Sequence, residues 1–116
     1  MDDLKSKLDA LHQASLNKSA QLLNEDRGDD AALEKIHGNM YDIARQILNA
    51  ARKLHADDES AALAFLQQRL EGLVDTWENA RVSAISREDT IRIVQEQIKV
   101  DTMREICEIV RGFAGE

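Results

Sequence analysis

Proline is missing altogether, cysteine occurs once, and aromatic side chains make up 3% of the 116 residues. Each shortage narrows the possibilities. Without proline nothing forbids long helices, since a proline in a helix interior costs about 3 kcal/mol. A lone thiol, Cys107, cannot form an internal disulfide, so a cross-linked scaffold is excluded. With so few aromatics, a core must be assembled from Leu, Ile, Val and Ala. The longest uninterrupted apolar run is Ala61 to Leu66, far below the roughly 20 residues of a membrane-spanning helix.

Positive charge is also short. Fifteen Lys and Arg against 22 Asp and Glu leave a net charge of −7. That balance argues against nucleic-acid or anionic-lipid partners, because phosphate binding is driven by Lys and Arg. No glycine-rich phosphate loop, paired Cys-x-x-Cys or nucleophile elbow occurs in the chain. The opening Met1-Asp2-Asp3 is acidic where a secretory signal carries positive charge. Together with the single thiol, it sets the expectation of a reducing, cytoplasmic setting.

What the chain does have is helical period. Leu33, Ile36, Met40, Ile43, Ile47, Ala50 and Leu54 alternate steps of three and four, and Leu63, Leu66, Leu70, Leu73, Trp77, Ala80 and Ala84 repeat them. Such seams mark helices that pack lengthwise on neighbours. Ile91, Val94, Ile98, Thr102, Ile106, Ile109 and Phe113 give a looser third seam. Leu4, Leu8 and Leu11 open a fourth, which drifts to Leu16, Ala20 and Leu23.

Punctuation separates these stretches. Asp26-Arg27-Gly28-Asp29-Asp30 reads as a terminal glycine followed by a helix N-cap, and Ala56 to Ser60 as a turn into the third helix. Ser86-Arg87-Glu88-Asp89 has the form of a capping box. The spacing therefore predicts one all-α domain over 1–116. Its helices lie near 2–25, 30–55, 58–84 and 87–113. Each rod is roughly 37 Å long, and the short connections fold them into an up-down-up-down antiparallel bundle. The rival is a fused third and fourth helix, since 81–87 holds no Gly or Pro. Gly38 and Gly72 fall inside helices, as tolerated residues or as points where a neighbour approaches closely.

Acidic residues gather at the proposed helix starts and basic Arg52, Lys53 and Arg111 near helix ends, as the helix dipole favours. Two carboxylate triplets at i, i+4, i+7 stand apart: Glu71, Asp75 and Glu78 on the third helix, and Asp101, Glu105 and Glu108 on the fourth. All-α hydrolases of nucleotides or phosphate esters build magnesium sites from clusters of this kind. By the helical period, however, the triplets point about 120° and 80° away from their own seams. They are thus expected to converge only across a dimer seam, and otherwise to be solvated faces. Glu34 and His37 form a Glu-x-x-His element, but without the further carboxylates of a di-iron bundle, so His37 reads as a surface histidine. No catalytic residue and no cofactor is expected.

The fourth helix carries a second apolar stripe of Ile93, Val100, Met103, Cys107 and Val110, about 145° from the first. A helix apolar on two faces is buried on both or lies at an interface. The expectation is a homodimer through this stripe, dissociated to a folded monomer by Val100→Asp with Met103→Asp. The function expected is non-catalytic: an adaptor or chaperone-like module that binds a protein partner. A metal-dependent hydrolase using the two triplets is the alternative.

Overall fold

A computed structural model describes residues 1–115. Four helices follow one another: α1 (Asp2–Asn24), α2 (Gly28–Leu54), α3 (Glu59–Ser86) and α4 (Thr90–Phe113). They form the antiparallel four-helix bundle that the seams predict. Among the described residues there is no strand.

The third and fourth helices are separate, and the reason is a local motif. The Glu88 amide donates to the Ile85 carbonyl at 3.0 Å, and the Asp89 amide to the Ala84 carbonyl at 3.0 Å. Glu88 itself sits at φ 55°. This is a Schellman ending, which satisfies the last carbonyls through one left-handed residue. The same motif closes α1, with Asp26 at φ 57°, Asp26 donating to Leu23 and Arg27 to Leu22. The left-handed residue is therefore Asp26, and Gly28 is the first residue of α2. The capping box at Ser86 is likewise not formed. Asp89 is the N-cap of α4 and accepts from the Arg92 amide, while the Ser86 hydroxyl bonds Ser83. Asp58 caps α3 in the same way, through the Ala61 amide.

α2 is the central element. It touches α1, α3 and α4, whereas α1 leans almost wholly on α2. A helix with three neighbours buries more than one stripe, and the inner one here is Tyr41, Ala44, Leu48 and Ala51. The alternating seam lies to its side: Met40 is buried, Ile43 and Ile47 are half-buried, and Leu54 is exposed. In α1 the inward line does not drift. It runs from Leu4 and Leu8 through Ser15 to Leu22, leaving Leu16 and Leu23 outside. A serine holds the middle of that line because α1 and α2 cross closely there. A Cβ on Gly38 would stand 2.6 Å from the Ser15 hydroxyl oxygen. Around Gly72 nothing lies within 4 Å.

The α4 stripe expected to meet another chain belongs to this chain's own core. Val100 and Met103 are 0% exposed, and Cys107 and Val110 are buried with them; Ile93 is half-buried. α4 is embraced by α2 on one side and α3 on the other, so both its stripes turn inward over the C-terminal half. The surplus lies elsewhere, at Ile91 and Val94, which are 73% and 42% exposed.

The core is polarised along the bundle. Leu4, Leu8, Leu48, Leu66, Leu70, Met103, Ile106 and Val110 all belong to one half. At that end sit the chain start, the α2–α3 turn and the α4 terminus; the Met1 amine meets Glu59 (2.8 Å) and Arg52 meets Asp2 (2.7 Å), tying the chain start to that turn. Toward the α1–α2 and α3–α4 turns the core thins, and a cleft of about 590 Å³ opens between α1, α2 and α4.

Candidate functional site

A continuous polar chain crosses three helices at the inner edge of this cleft. Glu34, one helical turn before His37, turns inward onto α1 rather than outward, because Ser15 and Gly38 bring α1 against that face of α2. Its carboxylate accepts from the Ser15 hydroxyl and from His37 Nδ1, both at 2.6 Å, and Lys18 Nζ stands 3.4 Å away. His37 Nε2 lies 3.1 Å from the Tyr41 hydroxyl, which in turn reaches the Glu105 carboxylate of α4 at 3.2 and 3.3 Å. His37 and Tyr41 also meet edge to face, their rings 5.0 Å apart.

The electrostatics follow from the contacts. Burial pushes the Glu34 carboxyl up, but the bonds from Ser15 and His37 and the charges of His37 and Lys18 outweigh it. The group is held below the usual carboxylate range. Tyr41 is pushed well above the ordinary phenol range, by burial first and then by Glu105. It stays a neutral hydroxyl, with one proton to give.

Five of the six triplet carboxylates border one open groove. Glu71 and Asp75 of α3 and Asp101, Glu105 and Glu108 of α4 line this groove of about 730 Å³, floored by Val74 and Cys107. All five are exposed and do not converge on a buried site, in keeping with the outward direction given by the helical period, and Glu78 does not line the groove. Arginines interleave the acids. Arg111 reaches Glu71 at 3.2 Å and pairs with Glu108, while Glu78 pairs with Arg81 and lies 4.0 Å from Arg104. Glu71 and Glu78 are accordingly held below their ordinary range, Glu71 chiefly by Gln67 and then Arg111, and Glu78 chiefly by Arg81. Among the described residues no group of three or more His, Cys, Asp or Glu is placed to hold a metal ion.

Two buried groups lie outside both features. Cys107 is a buried thiol that burial, and secondarily Glu71, pushes above its ordinary value, which keeps it a poor nucleophile. Glu96 is 1% exposed; its Oε1 accepts from Arg92 and Lys99, while its Oε2 has no partner among the described residues.

Sequence reasoning passed over Ser15 and the inward turn of Glu34, and placed Tyr41 only on an apolar strip flanking the α2 seam. The available signal was the pair Ser15 and Gly38, two small residues set at inward positions of adjacent helices. Exposed large apolar side chains complete the picture. Leu16 and Leu23 of α1, Val82 and Ile85 of α3, and Ile91 and Val94 of α4 lie toward the open end, while Leu54 and Phe113 are exposed at the other. No described helix is long and apolar enough to cross a membrane. The chain matches no protein-family model, and no curated protein or solved structure matches it.

Proposed function

We propose that the chain is a non-catalytic, cytoplasmic binding module that self-associates and docks protein partners, in the manner of an adaptor or chaperone. The observation that carries this reading is the gathering of Val82, Ile85, Ile91 and Val94 at the tip of the α3–α4 hairpin, all of them exposed. Isolated surface leucines need no explanation, but four apolar side chains gathered at one hairpin tip favour a contact. The cleft beside them is floored by Leu22, Leu33 and Ile98, a surface suited to the apolar face of an amphipathic helix. The single buried thiol supports a reducing location.

Local charge supports self-association there. The chain carries −7 overall, yet the hairpin tip sets Arg87 and Arg92 against Glu88 and Asp89. Two copies meeting at this tip avoid most of the repulsion that their acidic grooves would impose.

Light scattering across a concentration series tests the proposal. The wild-type chain is expected above monomer mass, and Ile91→Asp with Val94→Asp is expected to give a monomer with an unchanged helical circular dichroism spectrum. A wild-type monomer at every concentration sinks the self-association.

A further inference from the structure

The cleft has a device at its base. His37 Nδ1 donates to the Glu34 carboxylate, so the free choice on the ring concerns Nε2. Nε2 faces the Tyr41 oxygen at 3.1 Å, and that oxygen faces Glu105 at 3.2 and 3.3 Å. Tyr41 has a single hydroxyl proton for two acceptors. With His37 neutral, the proton goes either to Nε2 or to Glu105, and the other contact is left as lone pair against lone pair. With His37 protonated, Nε2–H donates to the Tyr41 oxygen and Tyr41 O–H donates to Glu105. Every contact from Glu34 through His37 and Tyr41 to Glu105 then has its donor.

We infer that the Glu34–His37–Tyr41–Glu105 chain is a proton-operated latch, in which protonation of His37 completes the link between α2 and α4 and narrows the cleft between the hairpins. No covalent step is involved; one proton is taken from solvent onto Nε2. The position of the latch makes it a control point. It lies where the apolar core ends and the cleft begins, and among the described residues Tyr41 to Glu105 is the one side-chain hydrogen bond joining α2 to α4.

Charged groups on three helices face the ring or its partners. Glu34 on α2 touches Nδ1 directly, and Asp101 and Glu105 face it from α4. Lys18 from α1 opposes them, but it lies against the outer oxygen of Glu34. Arg27 and Asp30 at the cleft mouth neutralise each other at 2.9 Å. The inference rests on the reading of the open end as a binding surface, and it supplies that surface with a regulator.

The experiment measures the separation of the two hairpins. Spin labels at Asn24→Cys and Ser86→Cys, both exposed positions near the two turns, report it by pulsed electron resonance. The labelled chain is diluted into unlabelled chain so that only distances within one molecule are read, and buried Cys107 stays unlabelled. As pH falls across the ordinary histidine range, about 8 to 5, the distance distribution is expected to shorten and narrow. His37→Gln and Tyr41→Phe should each abolish that response. Glu105→Ala, an exposed position that spares the core, should abolish it too, which keeps the test valid if Tyr41→Phe unfolds. A distance independent of pH in the unsubstituted background, or the same response in Glu105→Ala, overturns the latch. Self-association by light scattering is scored separately. A monomer that still responds to pH defeats the dimer alone, and a dimer that does not respond defeats the latch alone.

Discussion

Two glycines of identical helical context make opposite demands at the residue scale. At Gly38 an added methyl would meet the Ser15 oxygen at 2.6 Å and its Cβ at 3.1 Å, while at Gly72 it would meet nothing within 4 Å. Ser15 cannot swing away freely, because its hydroxyl holds the buried end of Glu34 at 2.6 Å. Gly38→Ala is therefore expected to destabilise by about 1–3 kcal/mol despite its better helix propensity. Gly72→Ala should stabilise by about 0.5–1 kcal/mol. Urea denaturation of the two variants side by side checks the contrast. Glu34 makes a second residue-scale statement. Folding lowers its pKa, so the stability it supplies is full above the ordinary carboxylate range and is lost as pH falls through its folded value. Wild-type protein should lose stability on acidification more steeply than Glu34→Gln, as read from urea midpoints over the acidic range.

Two helix endings built alike decide the topology at the scale of elements. Both turns place a charged residue, Asp26 or Glu88, in the left-handed region and pass directly into the next N-cap. A side chain at positive φ costs roughly 1 kcal/mol relative to glycine. Glu88→Gly is thus expected to raise stability by up to about 1 kcal/mol, and Asp89→Ala, which removes the α4 cap, to lower it by about 1 kcal/mol. Ser86→Ala, at the position the sequence pattern nominates as the cap, should change little, within about 0.5 kcal/mol. Thermal unfolding of the three variants separates these outcomes. The turn was legible in the sequence as a break in apolar period and a cluster of Asp and Glu. Which residue turns left-handed was not, because no glycine marks it and the motif forms through backbone hydrogen bonds.

The whole molecule is a bundle with a tight end and a loose one. Leu66, Leu70, Val100, Met103 and Ile106 are 0% exposed in the tight half, while Ile91 and Val82 stand more than half exposed at the other end. Two pairs of substitutions on α4 therefore have contrasting consequences. Val100→Asp with Met103→Asp places two carboxylates in a fully buried site. Each costs several kcal/mol unpaired, against a total stability of about 5–15 kcal/mol for such a domain, so this variant should unfold. Ile91→Asp with Val94→Asp should leave the fold intact. Circular dichroism before and after the four changes is the measurement, with loss of helical signal expected in the first pair alone.

From its apolar period, its lack of proline and its placement of acids at helix starts, the chain determined four helices, their boundaries to within a few residues, and their antiparallel order. These are local properties, fixed by spacing along one helix. Tertiary structure alone decided that the Tyr41 to Ala51 stripe of α2 is the inner one and that α4 buries residues of both its stripes within the chain, because a helix with several neighbours buries the arc between them. It also decided that Ser15, Glu34, His37, Tyr41 and Glu105 meet. They lie on three helices, and only the close crossing at Gly38 and the docking of α4 on α2 bring their polar ends within hydrogen-bonding reach.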